Sequence, residues 1–150
     1  TLAQQTQMGS HHTAQDYLSI LEGCFALRTL YAMDPNTRGF RFRKQKKFYF
    51  LDPLIYWIGL DWGNLREPEN FEERLAEQVA NEALARRYHR FGYYTSEKSG
   101  EVDFYAPDRW ALEVKWAPVA SNLSGAYKNL RVPQKTVWTH QNFLLEWPSV

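Results

Sequence analysis

Apolar positions along the chain follow two periods, and the switches between them mark its elements. From Gly100 to Trp116 the residues read Gly-Glu-Val-Asp-Phe-Tyr-Ala-Pro-Asp-Arg-Trp-Ala-Leu-Glu-Val-Lys-Trp. Two alternating runs flank a Pro107-Asp108-Arg109 turn signal, which predicts a β-hairpin. Pairing Ala106 with Trp110 sets Phe104 opposite Leu112 and Val102 opposite Val114 on an apolar face. The other face then carries Asp103 opposite Glu113 and Glu101 opposite Lys115, with opposed side chains roughly 5 Å apart. Between Asn70 and about Arg90 the period becomes helical. Phe71, Leu75, Val79 and Ala83 form one stripe and Ala76, Ala80, Leu84 and Tyr88 an adjacent one, so this face packs on a sheet. Asn70 caps that helix, with Glu73 at the capping-box position.

The remaining segments fill in around these two. Leu2–Gln7, a turn at Met8-Gly9-Ser10 and Thr13–Leu21 read as two short helices. Glu22–Ala32 continues as an apolar helix or strand and ends at Asp34-Pro35-Asn36. Phe40 and Phe42 alternate with Arg41 and Arg43, and Lys46-Lys47 lead into Phe48-Tyr49-Phe50, the pattern of a two-stranded β wing. Leu54–Leu60 is a short apolar helix, and Gly63–Glu69, with Pro68, a linker. A Gly92-Tyr93-Tyr94 strand precedes the hairpin. After it come a helix over Ser121–Leu130 and strands over Thr136–Thr139 and Phe143–Trp147. The order helix, strand, hairpin, helix, strand predicts an α/β core with a mixed central sheet over residues 68–150. A small winged-helix-like α+β segment precedes it at residues 1–62.

Composition narrows the class. The 150 residues can bury a real core, and six Trp, nine Tyr and nine Phe make it aromatic. A net charge of +1 sets up no global field, so nucleic-acid binding must rest on local patches. The single Cys24 forms no intrachain disulfide, which suits a reducing cytoplasm. No apolar run is long enough to span a membrane, and no charged-then-apolar signal peptide opens the sequence. Starting at Thr1 without Met, the sequence reads as a piece of a longer protein.

Two groups of residues carry candidate chemistry. Opposed carboxylates on a sheet repel each other and need a counter-charge. A Mg²⁺ or Mn²⁺ ion is one solution, since such ions take hard oxygen ligands and leave room for a phosphate oxygen. A salt-bridged surface hairpin, with Lys115 neutralising Glu101 and Glu113, is the other. The second group is basic: Arg38, Arg41, Arg43, Lys44, Lys46 and Lys47 crowd a short stretch. Arg41, Arg43, Lys44, Lys46 and Lys47 are the candidate phosphate contacts; an edge protected against sheet-to-sheet pairing accounts for them equally well. The two N-terminal helices are similar to a helix-turn-helix, yet His11–Ser19 holds no Arg or Lys for phosphates, so a structural helical cluster suits it better.

The order Asp103, nine residues, Glu113, one residue, Lys115 resembles the active-site signature of the PD-(D/E)xK nucleases, the superfamily of restriction endonucleases and archaeal Holliday-junction resolvases. With the Asn70–Leu84 helix, the Gly-Tyr-Tyr strand and Ser-Gly-Glu-Val-Asp-Phe before it, the chain resembles a C-terminal domain carried by many bacterial and archaeal AAA-type ATPases. The resemblance implies a restriction-endonuclease-like core and metal-dependent hydrolysis of DNA. It implies that Asp103 and Glu113 hold Mg²⁺ or Mn²⁺ with the Val114 carbonyl, that Lys115 orients the attacking water or balances charge on phosphorus, and that Glu77 faces the metal's outer water. The catalytic set is then Glu77, Asp103, Glu113 and Lys115. The partners implied are DNA and an N-terminal ATPase domain, and the sequence has no Gly-rich Lys-Ser/Thr phosphate loop of its own. Glu77 has a second reading as a solvated edge residue. A silent DNA-binding or protein-interaction module, keeping the fold with its motif as a salt-bridged network, is the alternative to the nuclease. A winged-helix regulator acting through Arg41, Arg43 and Lys47 is a third possibility.

Overall fold

A computed structural model describes residues 10–148; the expected Leu2–Gln7 helix and most of the turn after it lie outside them. Helix α1 (His11–Gly23) begins at Ser10, whose side chain accepts the Thr13 N–H at 3.1 Å. Phe25, at φ 58, turns the chain into β1 (Leu27–Leu30). β1 pairs antiparallel with β2 (Lys47–Phe50), Leu27 opposite Phe50 and Leu30 opposite Lys47. The β ribbon is therefore built from β1 and β2, and the Phe40–Arg43 run expected as one of its strands is part of the loop between them. Burial decides this: Leu27, Leu30 and Tyr49 reach the core, while Arg41, Phe42 and Arg43 stay exposed.

Beyond β1 the chain runs on beside a larger sheet. Ala32 bridges Tyr93 in parallel, the Met33 N–H donates to the Tyr93 carbonyl at 2.8 Å, and the Tyr93 N–H donates to Tyr31 at 3.1 Å. So close an approach requires Gly92, where a Cβ would collide with the Tyr31 carbonyl oxygen. Helices α2 (Leu54–Trp62) and α3 (Phe71–Arg87) lead into β3 (Gly92–Ser96), β4 (Gly100–Ala106) and β5 (Trp110–Val114). α4 (Gly125–Asn129), capped by Ser124, crosses over to β6 (Gln134–Trp138). The sheet order is β3-β4-β5-β6, antiparallel except for the parallel β5–β6 pair, so the fold is mixed α/β with one mixed sheet.

The hairpin register is the expected one, Phe104 opposite Leu112 and Ala106 opposite Trp110. Its faces differ from expectation. Phe104, Leu112, Val114 and Trp110 pack with Ala80 and Leu84 of α3, together with Leu30 and Tyr49, so the β1–β2 ribbon and the hairpin share one core. On the opposite face, expected to be polar, Val102, Tyr105 and Ala111 form a second apolar layer with Ala126, Tyr127 and Met33. Val102 changes sides because the β3–β4 register shifts between Gly92 and Tyr94. That bulge leaves Val102 and Tyr105 on one face and Asp103 and Phe104 on the other.

Three further expectations are corrected. Asn70 sits at φ 59 with no side-chain cap bond, so Glu73 completes no capping box. The first stripe of α3 is only partly covered: Leu75 and Val79 line a groove of about 630 Å³ with Trp57, Phe71, Trp116 and Phe143. Phe143–Trp147 forms turns and no strand. There Phe143 and Trp147 lie edge-on to Trp138, whose Nε1 donates to the Glu146 carbonyl at 2.6 Å, so the segment caps the core. Among the described residues no helix is long and apolar enough to cross a membrane.

Candidate active site

The paired ladder of β4 and β5 runs from Ala106/Trp110 to Phe104/Leu112 and stops. At the next position the Asp103 side chain takes over, its Oδ2 accepting the Val114 N–H at 2.9 Å. A buried N–H must find an acceptor, and here a side chain supplies it in place of a strand carbonyl. The substitution brings the Asp103 carboxylate close enough to Glu113 for each to feel the other's charge. Both are buried, Glu113 at 1% and Asp103 at 8% exposure.

Glu113 is held from two other directions. Ser124 Oγ donates to its Oε1 at 2.9 Å, and the Lys115 ammonium stands 3.9 Å from its Oε2 and 3.8 Å from Glu73. Burial above all, then the neighbouring Asp103, push the Glu113 carboxyl up to about 8 against the pull of Ser124 and Lys115. At neutral pH Glu113 therefore keeps its proton.

A second cluster adjoins the first. Lys47, from β2, places its ammonium 2.7 Å from Glu101, 3.6 Å from Asp103 Oδ1 and 4.0 Å from Glu77. It also lies over the Tyr93 ring, 5.4 Å from the centroid. Burial alone would lower its pKa, but Tyr49, Asp103, Glu77 and Glu101 outweigh that and hold it above the ordinary lysine value. Tyr49, whose phenol burial pushes up, donates to Glu77 at 3.2 Å. Burial first, and then Asp103, raise Glu77 to about 7 despite Lys47 and Tyr49. One turn along α3 from Glu77, Asn81 is fully buried, and neither side-chain amide atom has a hydrogen-bond partner among the described residues.

Of the residues singled out in the sequence, Asp103, Glu113 and Lys115 come together, with Glu77 joined to them through Lys47. Glu101 faces Thr95 of β3 and pairs with Lys47, not with Lys115. The basic stretch divides. Lys47 turns inward, whereas Arg43 is exposed, Arg41 lies 3.8 Å from Asp34, Lys44 3.0 Å from Glu97, and Lys46 over the Tyr31 ring. Tyr49, Glu73 and Ser124 belong to the cluster and were not foreseen as members. Strand parity could have found Tyr49, since Lys47 and Tyr49 share one face of β2. Nothing local announces Ser124, which reaches Glu113 by capping α4 with the same oxygen.

The donor chemistry suits a hard divalent cation. Among the described residues no group of three or more His, Cys, Asp or Glu side chains is arranged to hold a metal. Mg²⁺, however, is commonly bound by one or two carboxylates with water and phosphate completing its shell. Asp103 and Glu113 are two buried carboxylates of the kind such an ion takes. No curated protein and no solved structure matches the chain. A family model described as Domain of unknown function (DUF8612) matches residues 1–64, the part that holds α1, β1, β2 and α2 and delivers Lys47 and Tyr49 to the site.

Proposed function

We propose that the chain is a divalent-cation-dependent DNA phosphodiesterase of the PD-(D/E)xK arrangement, with a restriction-endonuclease-like core and a winged-helix-like first segment. One observation carries this reading: the Asp103 carboxylate of β4 accepts the N–H of Val114, the neighbour of Glu113 on β5, at 2.9 Å, and the Lys115 ammonium stands 3.9 Å from Glu113. Asp103 and Glu113 hold Mg²⁺ or Mn²⁺, with the Val114 carbonyl as a further ligand. Bound there, the ion supplies Lewis-acid polarisation of the scissile phosphate and acidifies water. Lys115 orients the attacking water and balances the negative charge that grows on phosphorus. Glu77, kept in place by Tyr49 and Lys47, faces the outer water shell. Arg41, Arg43, Lys44 and Lys46, on the loop between β1 and β2, neutralise the DNA backbone. In a longer cytoplasmic polypeptide an ATPase domain gates the site.

The test is Mn²⁺-dependent cleavage of linear, branched and single-stranded DNA. Lys115→Ala is expected to lose about a hundredfold or more in rate. Equal cleavage by parent and Lys115→Ala, or cleavage that persists in a chelator, overturns the reading. A second reading has its own observation, the Lys47 ammonium among Glu77, Glu101 and Asp103: a silent DNA-binding or interaction module needs no metal to settle those charges. Calorimetric titration separates the two, because the module shows no Mn²⁺ binding that Asp103→Ala abolishes.

A further inference from the structure

Lys47 is the one member of the cluster that the first segment contributes as a cation, and its position bears directly on Asp103. Asp103 Oδ2 is engaged by the Val114 N–H at 2.9 Å, and Oδ1 faces Lys47 at 3.6 Å. A divalent cation using Oδ1 therefore arrives beside a half-buried ammonium, and like charges at such separations repel where water is partly excluded. Lys47 also has somewhere to go. Its shortest ion pair is to Glu101 at 2.7 Å, whose side chain is more exposed than that of Asp103. Tyr93, beneath the ammonium, provides an aromatic face on the same side.

We propose that Lys47 is an internal counter-ion that competes with a divalent cation for Asp103 and yields toward Glu101 when the cation binds. The inference rests on the reading that Asp103 and Glu113 hold such a cation. It makes Lys47 a positioning residue and not a phosphate contact, and it makes metal occupancy depend on β2. The β1–β2 ribbon, supplied by the first segment, thereby tunes a site whose ligands all lie in the second.

The experiment compares Mn²⁺ binding by calorimetry in the parent, Lys47→Met and Lys47→Arg. Lys47→Met keeps the apolar stem without the charge and is expected to bind Mn²⁺ at least about tenfold more tightly than the parent. Lys47→Arg, which keeps the charge, is expected to show no such gain. Equal or weaker binding by Lys47→Met overturns the proposal. Should Lys47→Met fail to fold, the parent alone decides by lysine ¹³Cε NMR. The Lys47 signal, assigned by its loss in Lys47→Arg, is expected to shift in step with Mg²⁺ occupancy. An unmoved signal while Asp103-dependent Mg²⁺ binding is registered overturns the inference and leaves the phosphodiesterase reading standing. If neither the parent nor Lys47→Met takes up Mn²⁺ at millimolar concentration, both readings fall.

Discussion

The two ends of the β4–β5 hairpin are made from the same alternating sequence and do opposite things. At the closed end Phe104, Ala106, Trp110 and Leu112 pair in a regular ladder and bury their side chains in the main core. At the open end the ladder stops beside the β3–β4 bulge, a carboxylate takes over one backbone donor, and acidic and basic groups gather around it. The apolar end needs no particular partner to be stable, because the hydrophobic effect is not directional. The acidic end is stable only while each buried charge or lone pair has a specific neighbour. The charged cluster thus sits where backbone pairing stops, next to a packed scaffold that holds it in place.

The contrast can be broken first at the closed end. Leu112→Ala removes a fully buried side chain and is expected to cost about 2–5 kcal/mol in urea denaturation. Asp103→Ala comes next: stranding the Val114 N–H is expected to cost about 1–3 kcal/mol. Asp103→Asn retains an acceptor and relieves repulsion with Glu113, so it should lie nearer the parent. If Asn and Ala are equally destabilising, the Val114 bond is not what holds the open end together.

A smaller effect, confined to the open end, follows from proton linkage. The Glu113 carboxyl stands at about 8 in the folded chain against an ordinary value of 4.5. Between those values the folded state holds a proton that the unfolded chain has released, so stability falls as pH rises from 4.5 toward 8. Glu77, raised to about 7, contributes with the same sign over a narrower window. Melting temperature followed against pH should decline across this range in the parent and decline less in Glu113→Gln; identical profiles would show that Glu113 holds no such proton. The smallest change is at the closed turn. Asp108, at φ 60, pairs with Arg38 on the surface, and Asp108→Gly trades a weak exposed ion pair for backbone freedom. Stability should change by less than about 0.5 kcal/mol.

Much of the framework follows from local pattern alone. Alternation about Pro107–Arg109 was enough to place the hairpin and its register, and the 3.6-residue stripe of Ala76, Ala80, Leu84 and Tyr88 gave the face of α3 that meets the sheet. Strand alternation put Asp103, Glu113 and Lys115 on one face, and the resemblance to the PD-(D/E)xK nucleases added Glu77 as an expectation. Such inferences succeed because period and turn chemistry are local properties of the chain. Only the tertiary structure decided the rest. A bulge opposite β3 moved Val102 to the other face, and Phe143–Trp147 closed over Trp138 in place of pairing as a strand. Lys47 left the basic surface for the acids because the β1–β2 ribbon docks on the same core as the hairpin. The reason is physical: which charge neutralises which depends on distances between segments far apart in sequence, and no local pattern records them.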